Sequence, residues 1–282
     1  MPDKRTIFVC QGTGCLSSGS DAAYYALKEE VAKQGVRDVE VDLTGCHGFC
    51  EQGPNVVVEP EGIFYAQFQA EDAVEVVTSH LRGGRPVERL FYRDPVTGKA
   101  IPRYADINFY SKQQRVILHN CGRINPEKLE HYIAAGGYRA LRKALVELPP
   151  EAVIELIKQS GLRGRGGAGF PTGRKWEFCR TAPGDTKYII CNADEGDPGA
   201  FMDRSILEAT PHSVVEGLTI AGYAIGAHEG YIYVRAEYPL AVKRFRLALA
   251  QALESGYLGK NILGSSFSFQ IHVKEGAGAF VC

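Results

Sequence analysis

Apolar positions near the start of the chain alternate between short runs of strand length and longer stretches in which they recur every three or four residues. Short runs predict strands, whereas the longer spacing predicts helices. Gly35 ends the first helical stretch, and the sequence Pro60-Glu61-Gly62 predicts a turn between two strands. The predicted order is strand, helix, strand, strand, strand, helix. These segments are residues 6–9, 20–34, 39–43, 55–59, 63–68 and 70–81.

The alternation of strands and helices returns over residues 151–282. It predicts a parallel sheet, because each helix carries the chain back to the start of the next strand. The longest of these helices is predicted over residues 239–254, with Val242 and Leu253 on its apolar face. The other predicted segments are helices over residues 203–208 and 212–225 and strands over residues 187–191, 231–234 and 267–273.

Residues 85–150 have little periodicity and are predicted to connect the two regions without contributing chemistry. Gly83, Gly84 and Pro86 mark the boundary before this connector, because glycine and proline interrupt regular structure. The elements expected within it are a strand over residues 116–118 and helices over residues 126–132 and 138–145. The predicted division is therefore a domain over residues 1–84, a connector over residues 85–150 and a domain over residues 151–282.

Composition indicates a folded protein that does not act on nucleic acids or enter membranes. Of the 282 residues, 45% are hydrophobic and 23% are charged, which is enough apolar material for one or two cores. A formal net charge of -1 and the lack of a long basic run argue against a nucleic-acid surface. No apolar run reaches the length of a membrane span, and the first residues lead into a strand rather than a signal peptide. The sequence therefore predicts a cytoplasmic protein.

Four of the eight cysteines form two close pairs, Cys10 with Cys15 and Cys46 with Cys50, and each pair follows a predicted strand. This pattern indicates metal or cluster binding in a reducing compartment rather than a disulfide framework. Four converging thiolates can hold tetrahedral zinc or a [2Fe-2S] cluster. Structural zinc sites favour a two-residue spacing, so the wider spacings here favour the cluster. We expect His47 to belong to the surrounding loop, with Rieske-type ligation as the alternative.

The spacing of these cysteines resembles that of the thioredoxin-like [2Fe-2S] ferredoxins. The order of strands and helices predicted for residues 1–84 suits the same thioredoxin-like α/β fold. Plant-type ferredoxins are excluded, because their C-x4-C-x2-C run is absent. Cys121, Cys179 and Cys191 lack metal-ligand spacing, and we expect them to be packed.

A glycine-rich stretch over residues 160–173 is typical of a phosphate-binding loop. Its backbone can approach a ligand closely, and neighbouring arginine and lysine side chains add positive charge. Gly164, Gly166 and Gly169 match a dinucleotide-binding pattern, but that pattern requires a preceding strand, and the apolar residues before this stretch have helical spacing. We therefore assign no Rossmann site. A flexible linker is the alternative, and the aromatic residues nearby argue against it.

A short buried strand is predicted over residues 187–191, and polar residues follow it, namely Asn192, Asp194, Glu195 and Asp197. Open α/β sheets bind ligands at the carboxyl ends of their strands, so these side chains suit ribose hydroxyls or the edge of a flavin ring. A solvated acidic turn is the alternative. We expect the glycine-rich stretch and this acidic loop to face one pocket.

Three blocks, residues 161–176, 191–199 and 276–282, resemble the FMN- and NADH-binding subunit shared by respiratory complex I, NAD(P)-linked iron-only hydrogenases and NAD-dependent formate dehydrogenases. The blocks occur in the order found in that family. The resemblance implies a parallel-sheet α/β FMN-binding domain, preceded here by a thioredoxin-like ferredoxin domain. In the same enzymes a small ferredoxin subunit partners the flavin subunit, and hydrogenase-type members also join the two.

By position, the resemblance implies that the glycine-rich stretch holds FMN. Gly164, Arg165, Gly166 and Gly167 would approach the cofactor, and Lys175 would lie at the flavin and its phosphate. These roles follow from the resemblance alone.

The resemblance further implies that Asn192, Asp194 and Glu195 hold the ribityl chain and the phosphate end of FMN. Phe170 and Phe178 would sandwich the adenine of NAD(H), with a place in the protein core as the alternative for these aromatic rings.

Asp197 would accept hydrogen bonds from the ribose hydroxyls of NAD(H). Other members often have glutamate there, which leaves the choice between NADH and NADPH open. Many have tyrosine where Phe280 stands, so one polar contact near the flavin is expected to be missing. The chain ends at Cys282, where the family continues with further flavin-site residues and a [4Fe-4S] cysteine motif. We therefore expect a truncated flavin domain, with the [4Fe-4S] ligands only in the missing part.

The expected function is a diaphorase subunit that passes hydride between NAD(P)H and FMN and electrons onward through iron-sulfur clusters. No side-chain acid or base is required for hydride transfer, so no catalytic residue is assigned. Other iron-sulfur subunits and ferredoxin are the expected partners, most consistently within an NAD(P)-linked iron-only hydrogenase. Complex I and formate dehydrogenase are the alternatives, and a non-enzymatic [2Fe-2S] electron carrier is the alternative from another class.

Overall fold

The computed structural model describes residues 5–278, so Phe280 and Cys282 lie outside the described residues. The chain divides into two compact units. The first comprises Met1–Pro126 with Glu208–Thr210, and the second comprises Glu127–Leu207 with Pro211–Cys282. No helix within the described part of the chain combines the length and the apolar character that a membrane crossing requires.

A four-stranded sheet forms the centre of the first unit. Its strands are β1 (Arg5–Cys10), β2 (Val39–Thr44), β3 (Val56–Glu59) and β4 (Ile63–Tyr65). β2 lies parallel to β1, β3 lies antiparallel on the other side of β1, and β4 pairs antiparallel with β3, which gives the order β2-β1-β3-β4. This is the strand arrangement of a thioredoxin-like domain, and it confirms the predicted fold.

Helices connect and close this sheet. They are α1 (Thr13–Ser17), α2 (Ser20–Lys33) and α3 (Asp72–Glu75), which continues as a π-helical segment (Val76–Arg82). α2 is the crossover between the parallel strands β1 and β2, and it ends before Gly35, whose φ of 65° is easily adopted only by a residue without a Cβ. The closing helix predicted from the spacing is thus confirmed, whereas α1 was not predicted.

Alternate residues of the sheet face two separate cores, as the two-residue period of a strand requires. Val9 points to the side covered by α2, where it packs in one cluster with Leu27. Val57 and Phe64 point to the opposite side, where they pack with Tyr110 of the connector. The connector therefore supplies apolar side chains that cover this second face of the sheet.

The helices predicted over residues 126–132 and 138–145 form in the second unit. The part of the connector before residue 126 contains short elements only. They are β5 (Tyr92–Arg93), β6 (Ala100–Ile101), α4 (Asn108–Ser111) and two 3-10 turns (Glu88–Leu90 and Tyr104–Asp106). The strand predicted over residues 116–118 is wrong, because this segment forms turns and Val116 is 71% exposed. A run of β-branched residues favours a strand only where a neighbouring strand is available for pairing.

The second unit alternates helices with a parallel sheet, as predicted. Its elements are α5 (Leu129–Ala134), α6 (Arg139–Glu147), α7 (Pro150–Gln159), α8 (Thr172–Thr181), β7 (Tyr188–Ala193), α9 (Met202–Ala209), α10 (Pro211–Ile225), β8 (Glu229–Val234), α11 (Pro239–Glu254) and β9 (Gln270–Glu275). The three strands pair in the order β7-β8-β9 and are all parallel. The helix α7 directly precedes the glycine-rich stretch, which confirms that no strand leads into it.

The helix α10 is the most buried element of the second unit and packs against α6, α7, α8 and α11. Its Glu216 carboxylate is buried and accepts hydrogen bonds from the Tyr132 hydroxyl at 2.6 Å, the Tyr138 amide at 2.8 Å and the Leu141 amide at 3.0 Å. A buried charge is tolerated when its hydrogen bonds are satisfied, so this network ties the start of α6 to α10.

Two predictions of burial are wrong. β7 was expected to be buried, but Tyr188 is 52% and Ile190 is 67% exposed, because the described residues cover only one face of the sheet at this strand. Leu253 was expected on the apolar face of α11 and is 58% exposed, whereas its neighbour Ala252 is fully buried. Periodicity identifies residues that share a face, but it does not identify the element that covers that face.

Candidate functional site

The two cysteine pairs converge at one end of the sheet in the first unit. Cys10 is the last residue of β1, Cys15 lies in α1, Cys46 follows β2 and Cys50 begins a 3-10 turn. The Sγ atoms of Cys46 and Cys50 are 3.7 Å apart. Two thiolates bound tetrahedrally to one metal at about 2.3 Å would be about 3.8 Å apart.

Glycines bring the two cysteine loops together. A Cβ at Gly12 would lie 2.8 Å from the Cβ of Cys46, and one at Gly14 would lie 3.1 Å from the Sγ of Cys50. A Cβ at Gly53 would lie 2.9 Å from the Sγ of Cys15. Carbon atoms do not approach this closely without displacement, so each loop can pass the other only with glycine at these positions.

The thiols of Cys10 and Cys15 contact each other. A hydrogen bond with Cys15 and burial raise the pKa of Cys10 well above its usual value. The same hydrogen bond lowers the pKa of Cys15. The Gly48 amide donates to the Sγ of Cys46 at 3.3 Å, a contact that favours a thiolate.

Two contacting thiol pairs suit a two-iron cluster, in which each iron takes two thiolates. The donor set and the glycine-lined approach of the loops therefore fit a [2Fe-2S] cluster on the four predicted cysteines. Within residues 5–278, no group of three or more histidine, cysteine, aspartate or glutamate side chains is arranged to hold a single metal ion.

His47 is buried beside this site, and neither of its ring nitrogens has a hydrogen-bond partner among residues 5–278. Its ring meets the edges of Phe64 and Tyr104, at centroid distances of 6.4 and 5.5 Å. Burial, with a smaller contribution from Arg115, lowers the pKa of His47 to about 3, so the imidazole is neutral at physiological pH. The structure thus places His47 in a mainly aromatic environment beside the cysteine loop.

The glycine-rich stretch forms a closed loop between α7 and α8. The Gly164 amide donates to the Phe170 carbonyl at 2.9 Å, and the Thr172 amide donates to the Leu162 carbonyl at 2.9 Å. Gly167 has a φ of 99°, a conformation that side-chain-bearing residues rarely adopt. The base of the loop is therefore hydrogen-bonded.

The predicted FMN-binding residues lie along the outer part of this loop. A Cβ at Gly166 or Gly167 would meet nothing within 4 Å, and Arg165 is exposed. Lys175 lies in the first turn of α8, and its Nζ would be 3.7 Å from a Cβ at Gly164. The structure thus brings the ammonium group and the loop backbone together, in an arrangement that suits a phosphate.

Phe170 and Phe178 lie side by side on the surface rather than in the core. They are 40% and 51% exposed, and their ring centroids are 6.3 Å apart with an angle of 47° between the rings. A flat base stacked between two rings needs about 7 Å, since each contact takes about 3.5 Å. The two rings are therefore closer together than such a base requires, and the Arg174 guanidinium lies 5.4 Å from the centroid of the Phe178 ring. Trp176, by contrast, is partly buried against the core around Val153.

The acidic loop lies at the carboxyl edge of the parallel sheet. Ala193, Val234 and Glu275 are paired across β7, β8 and β9, so the segments that follow the three strands begin at one edge. Asn192 lies within β7 rather than beyond it, and its Oδ1 accepts a hydrogen bond from the Asp194 amide at 3.0 Å. The location agrees with the usual ligand edge of such sheets.

Glu195 is held by contacts that its predicted role did not include. Its carboxylate accepts hydrogen bonds from the Asp203 and Arg204 amides, at 3.1 and 3.3 Å, in the first turn of α9. The Tyr238 hydroxyl donates to the same carboxylate at 3.1 Å. A carboxylate at a helix N-terminus is stabilised by free amide groups and the helix dipole, so Glu195 fastens the acidic loop to α9. Asp197 is exposed.

Arg235 is a part of this edge that the sequence patterns did not single out. It directly follows β8, and its Nη1 donates to the Glu195 carbonyl at 2.5 Å. Its guanidinium lies over the Tyr238 ring at 5.6 Å. Arg235, like Asn192, is a polar residue at a strand end, so the same criterion applied to β8 would have found it.

Comparison with known proteins shows which families and solved structures the chain is similar to. Residues 157–282 match the profile described as the Nuo51 FMN-binding domain. The chain is 58% identical over 171 residues to NADP-reducing hydrogenase subunit HndC from Solidesulfovibrio fructosivorans, covering 61% of this chain and 34% of that protein. It is 54% identical over 167 residues to the F 2 subunit of NADH-quinone oxidoreductase from Rhizobium meliloti (strain 1021), covering 59% and 40%.

The chain therefore spans between 34% and 40% of the length of these two curated relatives. Among solved structures, the thioredoxin-like [2Fe-2S] ferredoxin from Aquifex aeolicus is 36% identical, with 31% of this chain and 95% of that chain covered and a TM-score of 0.29. Because this score is low, the fold of the first unit is assigned from its own strand order.

Proposed function

We propose that the chain is the flavin-binding subunit of a multi-subunit redox enzyme, because residues 157–282 match the profile described as the Nuo51 FMN-binding domain. In this role it passes hydride between NAD(P)H and FMN and electrons onward through iron-sulfur clusters. The observation that carries the proposal is the family match over the residues that contain the glycine-rich stretch and the acidic loop.

FMN bound at this site would exchange hydride with nicotinamide and single electrons with clusters. The chain's own residues would bind FMN and orient it. Lys175 pairs with the phosphate, and the backbone of Gly164 to Gly167, with Arg165, approaches the cofactor from the loop. Asn192 and Asp194 lie at the carboxyl edge of the sheet, where polar groups suit the ribityl hydroxyls.

Phe170 and Phe178 are proposed to hold the adenine of NAD(H). Their exposure supports this, because aromatic rings on a surface are available to stack on a base, whereas core rings are not. Asp197 is exposed in the same unit and would accept a hydrogen bond from a ribose hydroxyl of the nucleotide.

The cysteines Cys10, Cys15, Cys46 and Cys50 are proposed to hold the [2Fe-2S] cluster. Cys10, Cys15 and Cys46 are buried and Cys50 is half-buried, and glycines line their loops. Both features support this assignment, because a cluster site needs thiolates at close and fixed separations. The cluster would receive electrons in the cytoplasm, where a reducing environment keeps these thiols from forming disulfides.

For the complete enzyme we propose an NAD(P)-linked iron-only hydrogenase, with other iron-sulfur subunits and ferredoxin as partners. The thioredoxin-like unit joined to the flavin unit in one chain supports this choice over complex I or formate dehydrogenase. Hydrogen uptake coupled to NAD(P) reduction by the anaerobically isolated native assembly tests it. Uptake that requires ferredoxin would indicate bifurcation, and NADH-driven quinone reduction without uptake would assign the chain to complex I.

The flavin site is tested by FMN binding to the full chain. Lys175→Gln should weaken FMN binding by about tenfold to a hundredfold, because a charged hydrogen bond contributes about 1.5–3 kcal/mol. Lys143→Gln, which removes an exposed lysine on α6, is the matched control. Quenching of the fluorescence of added FMN measures the FMN affinity of both variants. Equal affinity for the two variants would contradict the assignment of Lys175.

A non-enzymatic electron carrier is the second candidate. One observation favours it: three of the four cysteines of the cluster site are buried, whereas the glycine-rich loop is exposed. A flavin-free native protein with an intact cluster spectrum would support the carrier. Bound flavin whose absorbance bleaches on addition of NADH would exclude it.

A further inference from the structure

A cavity of about 250 Å³ opens beside the cysteine site, within the first unit. Its lining includes Tyr104, Tyr110, Gln113, Arg115, His119 and Arg123, all from the connector. The ring of Tyr104 contacts the ring of His47 at 5.5 Å, so this connector cavity adjoins the Cys46–Cys50 loop. None of these residues belongs to the proposed cluster or flavin sites.

The connector cavity carries positive charge that no ion pair neutralises. Within residues 5–278, no carboxylate forms an ion pair with Arg115, His119 or Arg123. Arg115 donates one N–H to the Cys121 carbonyl at 3.4 Å, and His119 Nδ1 lies 2.7 Å from the Val116 carbonyl. The Glu59 carboxylate lies near Arg123 without forming an ion pair: burial raises the pKa of Glu59, and the charge of Arg123 opposes that rise. The guanidinium N–H groups that make none of these contacts are available to a ligand.

Aromatic packing holds Arg115 in place. Its guanidinium carbon lies 5.4 Å from the Tyr104 ring centroid and 5.3 Å from that of Tyr110. The two tyrosine rings are stacked, with centroids 3.9 Å apart. A guanidinium held against ring faces keeps the N–H groups at its edge available to an oxyanion.

The same tyrosines contain unmet hydrogen-bond donors. The hydroxyls of Tyr104 and Tyr110 are buried without a hydrogen-bond partner in the part of the chain that the structure describes. Burial raises the pKa of Tyr104 to about 12 and also raises that of Tyr110, so both hydroxyls remain protonated at neutral pH. An unmet buried donor destabilises the folded protein, and a bound acceptor within reach would remove that cost.

We propose that the connector cavity binds a small oxyanion of the phosphate class. Two guanidinium groups without ion-pair partners match the double negative charge of a phosphate and its three acceptor oxygens. Pockets for larger organic ligands begin at about 300 Å³, so this smaller cavity accommodates one anionic group. That group is either free phosphate or the phosphate of a larger metabolite that extends into solvent.

Calorimetric titration of the full chain with sodium phosphate tests the proposal, with sodium chloride at the same ionic strength as the reference. We expect saturable binding that Arg123→Gln weakens about tenfold or more, since one charged hydrogen bond is lost. Arg123 is exposed, so this substitution should leave the fold intact. Arg37→Gln, at an exposed arginine after α2, is the control with the same change of charge.

Phosphate can also bind the glycine-rich loop, and the variants separate the two sites. Phosphate binding that survives Arg123→Gln and disappears in Lys175→Gln would belong to that loop and would overturn the proposal. The absence of saturable binding beyond the chloride reference would overturn it as well. Arg115→Lys, which keeps the charge but loses the planar fork, should weaken binding less than Arg115→Gln.

Ribose 5-phosphate distinguishes the two sources of the group. Tighter binding of the sugar phosphate than of phosphate, with the same dependence on Arg123, would indicate a phosphorylated metabolite. Equal affinity for both would indicate that the phosphate group alone is recognised. Both results support the connector cavity as the site.

Discussion

The cysteine site and the glycine-rich loop differ in how closely the surrounding residues pack against their glycines. At the cysteine site, glycines allow two loops to interlock, and a Cβ at Gly12 would clash with Cys46. At the glycine-rich loop, a Cβ at Gly166 would meet only open space. The first site is closely packed, whereas the second is open. Glycine serves close packing of two loops in one place and leaves the backbone uncovered in the other.

The paired variants Gly12→Ala and Gly166→Ala test this difference most strongly. Gly12→Ala should lower the free energy of unfolding by about 1–3 kcal/mol, the usual effect of overpacking, and should abolish cluster assembly. Gly166→Ala should change stability by less than about 0.5 kcal/mol, as substitutions at unpacked surface positions do. Urea denaturation and the visible cluster absorbance measure both effects. Equal loss of stability in the two variants would contradict the contrast between a closed and an open site.

The variant Glu195→Gln tests whether the acidic loop is held in place by its contacts with α9. Glu195→Gln removes the charge that two amide groups of α9 and the Tyr238 hydroxyl contact. We expect the free energy of unfolding to fall by about 0.5–2 kcal/mol, as for the loss of a helix cap, while cluster absorbance is unchanged.

The control for this change is Glu254→Gln, which removes an exposed carboxylate at the end of α11. Loss of FMN binding without loss of stability would show that Glu195 acts on the cofactor alone. Loss of the cluster signal together with stability would show that the two units do not respond independently.

A pH series tests a property that the two units share. His80 in the first unit is hydrogen-bonded to the Tyr65 hydroxyl at 2.8 Å, and burial lowers its pKa. His212 in the second unit contacts Tyr138 and Gln251, and burial lowers its pKa as well. Below the ordinary histidine pKa of about 6.5, the unfolded chain binds these protons more readily than the folded chain. Stability is therefore greatest above that pH and falls as the pH decreases.

His80→Gln should reduce this pH dependence by no more than about 1.4 kcal/mol per pH unit, the limit for one proton. Glutamine retains a hydrogen-bonding group but does not titrate in this range. Chemical denaturation between pH 7.5 and 5.5 measures the slope, and the exposed His228→Gln is the control. An unchanged slope in His80→Gln would show that this imidazole takes up its proton without unfolding.

The spacing of cysteines and glycines along the chain is sufficient to identify both candidate sites. Cys10 and Cys46 each follow a predicted strand, and strand ends gather in space, so their convergence could be expected. The interlocking of Gly12 and Gly14 with the second cysteine loop could not be expected, because a contact between distant segments leaves no local pattern. The role of Glu195 as a cap of α9 was missed for the same reason.

In the connector, the sequence pattern predicted a strand that the structure does not contain. The run over residues 116–118 has the composition of a strand, yet it forms exposed turns. Tyr110, in a segment without any predicted structure, packs against Phe64 of the sheet. Side chains in irregular segments are placed by the surface they cover, and that surface is built from residues far away in sequence.

Local spacing and residue chemistry predict the order of strands and helices, the thioredoxin-like and parallel-sheet folds, and the residues that can bind a cluster or a phosphate. Both kinds of information are present along the chain without reference to distant segments. The exposure of Ile190 and Leu253, the completion of the first core by the connector, and the cavity that Arg115 and Arg123 share without an ion-pair partner are visible only in the folded chain. Burial and charge balance arise between segments that are distant in sequence, so the fold has to form before either is defined.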